Sequence, residues 1–329
     1  MSRKNILNTS FAQFVINDIC PNNKFLEEMR EIVPWEEIDS FFNKEITYKT
    51  GGRHPYPVLL VFKMHLLQTW YHLSDEGCEF QVKDRLSFKK FLDLDISANV
   101  PDATTLENLR HLLAENSLGE RLVAFFDNYL VDKGVILKEE NVVDATFLRA
   151  NSKPTKDEEK KTDIDAEFGH KGYGYSVNTN VDRESKFIRK THTTPANVLD
   201  FQSLENTLKG DEKVVLGDKG YDYPECRELL KDRKCKARIL FKRKRGKKNE
   251  GPKPLPWHKK LLNKAYSKLR AVVEHPYAVF ETTFGVTRAR YRGLERVNQE
   301  AQSLTIGYNF RRFGFILKRK NPKLQANCI

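Results

Sequence analysis

Three acidic residues, Asp144, Asp218 and Glu274, stand where carboxylates can converge on a metal ion. In the β-rich run Asn141–Phe147, Val142 and Val143 lead into Asp144, which lies in or at the end of the strand. Asp218 follows the short apolar run Lys213–Leu216, inside Gly217-Asp218-Lys219-Gly220. Ligands of an α/β sheet gather beyond the carboxyl ends of its strands, and flanking glycines let a ligand come close to the backbone. Glu274 lies on an expected helix, Leu261–Phe284, where Tyr266, Arg270 and Glu274 at i, i+4 and i+8 share a face. Leu262, Leu269, Val272 and Val273 are then left to pack on the sheet. Clustered carboxylates repel one another unless a cation compensates, and hard oxygen donors match Mg²⁺ or Mn²⁺. Two such ions about 4 Å apart support in-line displacement at phosphorus, and Arg270 is placed to clamp a phosphate. The same residues also fit plainer roles. An aspartate after a strand is commonly a turn or cap residue, and a Tyr/Arg/Glu stripe is commonly a solvated helix face whose ion pair adds about 0.5 kcal/mol or less.

These residues need a sheet and a helix to hold them. Tyr173–Val181 alternates as a strand should, Phe187–Thr194 does so less cleanly, and Ala237–Phe241 supplies a further strand. Helices are expected over Asn197–Lys209 and Tyr223–Lys231. The result is a mixed α/β layer. Lys153–Glu167, crowded with charge, is expected to be a mobile loop. Gly246–Trp257 is a further loop in which Trp257 is expected to act as an anchoring aromatic. Pro276, just past Glu274, removes a helical hydrogen bond and is expected to kink its helix.

Before residue 141 the pattern is helical. Asn22-Asn23 caps Lys24–Val33, Pro34 opens Trp35–Phe42, and Gly51–Pro57 is a breaker cluster. Val58–His72, Ser74–Leu86 and Ser87–Leu92 follow. Thr104 and Glu107 form a capping box, and Ser117–Lys133 closes the region. Such short helices suit either a helix-turn-helix module or an acidic dimerisation bundle. The expected boundaries are a helical lead-in over 1–50, an all-helical domain over 51–140, a catalytic domain over 141–317 and a basic tail over 318–329.

Charge is distributed unevenly. The chain of 329 residues holds 57 Lys and Arg against 45 Asp and Glu; residues 1–140 carry a net −6, whereas residues 231–329 carry +21. A field of that size attracts polyanions, and counterion release from phosphates would supply affinity. No apolar run approaches the roughly 18 residues of a membrane span, and the N-terminus lacks the apolar core of a secretory signal. Five scattered cysteines fit free thiols in a reducing compartment.

The ordered blocks Gly52–Leu60, Trp70–Glu76, Asp84–Phe88, Val100–Thr105, Val143–Thr146, Gly217–Tyr221, Val273–Tyr277 and Arg290–Leu294 carry a resemblance. The chain resembles the DDE transposases of bacterial insertion sequences, in the group typified by insertion sequence five. The resemblance implies an RNase-H-like mixed sheet flanked by helices and preceded by an all-helical domain. It implies Asp144, Asp218 and Glu274 as catalytic and metal-binding acids, with two Mg²⁺ ions (Mn²⁺ as an alternative). It also implies strand cleavage at transposon ends and joining of the freed 3′-hydroxyl to target DNA. Arg270 and Tyr266 look like the family's residues around the glutamate, though the Tyr266 to Arg270 interval is one residue longer than the pattern. The lysine the pattern places seven positions after the glutamate is Glu281 here, which removes a phosphate contact that Arg288 or Arg290 could replace. Lys219, Arg292, Lys242, Arg243, Lys244 and Arg245 are further candidates for DNA contact, as are His170 and Lys171. Expected partners are double-stranded DNA and further copies of the chain, since two ends must be brought together. The expected location is the bacterial cytoplasm, at the nucleoid. A transposon-derived DNA-binding protein without catalysis, which Glu281 favours, and a nuclease of the same fold are the competing readings.

Overall fold

The computed structural model describes residues 23–47, 55–136, 138–155, 160–243 and 253–320. They fall into two compact units, Met1–Glu115 with Phe310–Ile329, and Asn116–Asn309.

The first unit is helical. Asn23 accepts a hydrogen bond from Leu26 N and caps α1 (Lys24–Ile32), which α2 (Trp35–Glu45) follows. Helix α3 (Val58–Trp70) is apolar nearly all round and correspondingly buried. Its one buried cation, Lys63, pairs with Asp93 at 2.8 Å and lies 4.8 Å over the Trp35 ring. After α4 (Asp75–Asp84) and α5 (Leu86–Phe91) comes α6 (Ala103–Ala114). Its cap is Asp102, whose carboxylate takes Thr105 N at 2.8 Å, rather than the expected Thr104 and Glu107 box. Asp102 has the extended backbone that a cap requires, and its charge favours a helix N-terminus.

The second unit runs α7 (Leu118–Asp132), β1 (Glu140–Arg149), β2 (Glu167–Gly169), β3 (Gly172–Asp182) and β4 (Ile188–Pro195). It continues α8 (Leu204–Thr207), β5 (Val214–Gly217), α9 (Pro224–Asp232), β6 (Lys236–Ile239), α10 (Trp257–Arg270), α11 (Glu274–Ala278) and α12 (Leu294–Lys320). The residues of α12 from Phe310 onward belong to the first unit. The sheet order is β2-β3-β1-β5-β6, with β4 also on β3. Pairs among β1 to β4 are antiparallel, and β5 and β6 continue the sheet in parallel from β1. This is the RNase-H-like arrangement. Val143, Leu204, Val215, Tyr221, Cys226 and Leu230 form an apolar core on one face, beneath α8 and α9.

Further expectations are corrected. The helix expected over 261–284 is broken: α10 gives way to a 3-10 turn at Ala271–Val273, then α11, then a π-helical turn at Val279–Thr283. Pro276 lies inside this stretch and cannot donate to the helical ladder. Helix α10 has no buried residue, so Leu262 does not pack on the sheet; Leu261 is 61% and Trp257 77% exposed, so Trp257 is no anchor. Asn263 does the docking, exchanging two hydrogen bonds with the Phe241 backbone at 2.8 and 3.1 Å. Finally, the far part of the 153–167 loop is pinned. Buried Asp163 accepts from Tyr175 Oη at 2.6 Å and from Gly293 N at 3.0 Å, and Asp165 accepts from Leu294 N at the start of α12.

Candidate active site

Strand register sets the first two acids side by side. Val143 pairs with Gly217 at the last rung of the parallel β1/β5 ladder, so Asp144 and Asp218 are the next residues on each strand, where β5 ends. Asp218 turns back on itself, its Oδ1 accepting Gly220 N at 2.5 Å. Position 220 must be glycine for this, because a Cβ there would meet that oxygen at 2.6 Å. Gly217 is less tightly constrained, since a Cβ there would press on the Tyr221 ring at 3.2 Å.

Asp144 is 19% exposed and lies 3.0 Å from Arg270 Nη1. Burial raises its pKa to about 6; the Arg270 charge opposes that rise and the Asp218 charge adds to it. Across the β1/β3 ladder Asp144 faces Thr179, whose hydroxyl is 2.6 Å from Tyr277 Oη. Burial and the Asp144 charge push the Tyr277 hydroxyl's pKa well above its ordinary range.

Glu274 sits between these two contacts in sequence, four residues after Arg270 and three before Tyr277. Its side chain is exposed, and no ion pair holds it among the described residues. Its neighbours are held firmly: Val273 is buried, and His275 Nδ1 lies 2.9 Å from Tyr308 Oη, which donates to Lys186 O. The structure therefore brings together Asp144, Asp218 and Arg270; it leaves Glu274 exposed one turn after Arg270, without a contact to either aspartate among the described residues. Among the described residues no three carboxylates, histidines or cysteines already meet as one metal cluster.

The donor set nevertheless fits a hard divalent cation. Two strand-borne carboxylates carry more negative charge than Arg270 neutralises. Beside them the wholly buried Tyr221 hydroxyl has no partner among the described residues.

Of the candidates for DNA contact, Lys219 and Arg292 are exposed and Tyr266 is half-buried. Arg288 is exposed and forms a bridge with Arg149 at the end of β1, while Arg290 N is bound by the Glu300 carboxylate at 3.0 Å. Lys242 stacks 3.8 Å over the Tyr223 ring and Arg243 is exposed. Lys244 and Arg245 lie outside the described residues.

Sequence reasoning missed Asp200, Ser176, Thr179, Tyr221 and Tyr277. Tyr221 and Tyr277 close the Gly217–Tyr221 and Val273–Tyr277 blocks, and position in those blocks was the available signal. Asp200 opens a 3-10 turn before α8, and nothing in its spacing marks it.

Residues 137–310 match the family model described as Transposase DDE domain, and residues 14–112 match Transposase domain (DUF772). The chain belongs to the DDE transposase family. This family member also resembles three solved complexes at 10% identity. One is a piggyBac transposase synaptic complex with hairpin DNA, covering 95% of this chain and 77% of that one with a TM-score of 0.44. The Mos1 strand transfer complex covers 78% and 87% at 0.22, and the Mos1 paired-end complex with the left transposon end covers 76% and 85% at 0.21. This transposase has no helix, among its described residues, long and apolar enough to cross a membrane.

Proposed function

We propose that this DNA transposase works through Asp144, Asp218 and Glu274 as its catalytic acids, holding two Mg²⁺ ions, with Mn²⁺ as a substitute. The observation that carries this reading is the last β1/β5 rung, which sets Asp144 and Asp218 adjacent with a charge surplus. Bound divalent ions supply nucleophile activation and neutralise charge at the phosphorus. Asp144 and Asp218 hold that charge in place, and Glu274 completes the set from the helix whose backbone the Tyr277 and His275 contacts fix. Arg270, paired with Asp144, offers the rest of its guanidinium fork to the scissile phosphate. The exposed Arg288 and Arg292 follow the flanking backbone, with Lys219, Arg243 and the run to Arg245 adding phosphate contacts. Residues 51–140 serve end recognition or dimerisation, and the active species is a homodimer or larger assembly in the bacterial cytoplasm, at the nucleoid.

The test is cleavage and joining of supercoiled DNA carrying the element's terminal repeats, in Mg²⁺ or Ca²⁺. Asp218→Asn should lower cleavage about a thousandfold, roughly 4 kcal/mol of transition-state stabilisation, while leaving end binding intact. Undiminished cleavage by that variant rejects the assignment. Glu281 favours one rival, a binding protein without catalysis, which would bind ends and cleave nothing in Mg²⁺. Cleavage without end specificity or joining would indicate a nuclease.

A further inference from the structure

We propose that Asp200 is a fourth metal-ligating carboxylate of this site, acting with Asp218 from the sheet face opposite Arg270. The inference rests on the catalytic reading above and extends it to a residue outside the Asp144, Asp218 and Glu274 set. Side chains alternate along a strand, so Asp144, paired with Thr179, faces α10 and α11, whereas Phe147, paired with Ser176, faces α8. Asp200 belongs to the second face. It takes a hydrogen bond from Ser176 and lines a cleft of about 120 Å³ with Ala145, Phe147, His170 and Lys171.

Gly220 measures how near Asp200 and Asp218 are. One point, the position a Cβ would occupy there, lies 2.6 Å from Asp218 Oδ1 and 3.3 Å from Asp200 Oδ2. The two oxygens are thus separated by less than the sum of those distances, within the span that an adjacent pair of divalent ions can bridge. Nothing but hydrogen fits between them at residue 220, so the bare glycine keeps both carboxylates open to the same space.

A second feature points to a ligand there. The Tyr221 hydroxyl is wholly buried, unpartnered among the described residues, and lies in the fields of Asp200, Asp144 and Asp218 together. A buried donor left without an acceptor is costly, and an ion's bound water or a substrate phosphate oxygen between these carboxylates would accept from it. Lys171, whose charge reaches Asp200, offsets part of the repulsion until the ion arrives.

The test uses the full chain without DNA. Mn²⁺ binding is followed by electron paramagnetic resonance for wild type, Asp144→Asn, Asp200→Asn and Asp218→Asn, with circular dichroism to show that each variant is folded. Wild type is also exposed to Fe²⁺, ascorbate and peroxide, and its backbone cuts are mapped. Asp200→Asn should weaken Mn²⁺ binding about tenfold or more, and Fe²⁺ should cut near residue 200 as well as near 218. Wild-type affinity in a folded Asp200→Asn, or cuts confined to 144 and 218, overturns the inference while leaving the catalytic reading standing. Unchanged binding in Asp144→Asn and Asp218→Asn removes that reading, and this inference with it. Should Asp200→Asn fail to fold, the cutting pattern of wild type decides alone.

Discussion

The second unit holds two arginine–aspartate clusters of similar chemistry and opposite character. Arg189 is fully buried; it binds Asp127 at 3.1 and 3.2 Å and Asp211 twice at 2.9 Å, while Lys209 adds a bond to Asp127 and Lys138 one to Asp211. Cations there outnumber carboxylates and the guanidinium's hydrogen bonds close within the cluster. Burial alone would raise the Asp211 pKa, but its bonds to Arg189 and Lys138 bring it down to about 2. At the β1/β5 end the balance is reversed. Three carboxylates, Asp144, Asp218 and Asp200, are set against two cations, Arg270 and Lys171, the Tyr221 hydroxyl is left without an acceptor among the described residues, and the Asp144 carboxyl is pushed up to about 6. A buried network whose carboxylates are fully covered by its own cations is an element of the fold. One that carries surplus negative charge beside an open side is arranged for a cation from outside.

The sharpest way to break the comparison is to unbalance the closed cluster. Asp127→Ala leaves Arg189 buried with half its carboxylate partners and Lys209 without its own. The expected cost is about 3–5 kcal/mol of unfolding free energy, measured by denaturant titration. A loss below about 1 kcal/mol would mean the cluster is not a structural tie.

Removing charge at the open cluster should act in the other direction. In the folded protein the Asp144 carboxyl is harder to ionise than in the unfolded chain, where its pKa is 3.8. Between about pH 4 and 6 the fold therefore retains a proton that the unfolded chain has released, and raising the pH favours unfolding. Without metal, stability should fall by about 2–3 kcal/mol across that window on this residue's account. Asp144→Asn should flatten the slope, leaving the smaller same-direction contributions of Asp182 and Asp200. Mg²⁺ should counteract it in wild type by compensating the ionised form. A slope unchanged by the substitution would place the strain elsewhere.

The contrast also explains what the sequence made visible. Asp218 was legible because an apolar run stops at Gly217 just before it, and Asp144 because it breaks the apolar pair Val142 and Val143 within a β-rich run. The expected strands at 141–147, 173–181, 187–194, 213–216 and 237–241 lie within or overlap β1, β3, β4, β5 and β6. Asp200 was not legible, because its place depends on where the turn after β4 lands against Gly220, a tertiary fact with no local period. The Glu274 segment was half legible. Helical spacing put Arg270 and Glu274 on one face, and Arg270 does reach Asp144, but the 3-10 and π turns on either side of α11 rotate that face in ways no 3.6-residue count contains.

The smallest expected effect concerns how that segment is held. Tyr277→Phe keeps the ring and removes one hydroxyl, leaving the buried Thr179 hydroxyl without the 2.6 Å contact. Thermal and denaturant melts should show a loss of about 1 kcal/mol. The informative readout is the Mg²⁺ dependence of strand cleavage. If the bond to β3 holds the helical segment against Asp144, its loss should raise the Mg²⁺ concentration needed for half-maximal cleavage, with the rate at saturating Mg²⁺ less affected, because all three acids remain and only the segment carrying Glu274 has loosened. A fall in the saturated rate at unchanged Mg²⁺ requirement would instead give the Tyr277 hydroxyl a direct part at the phosphate.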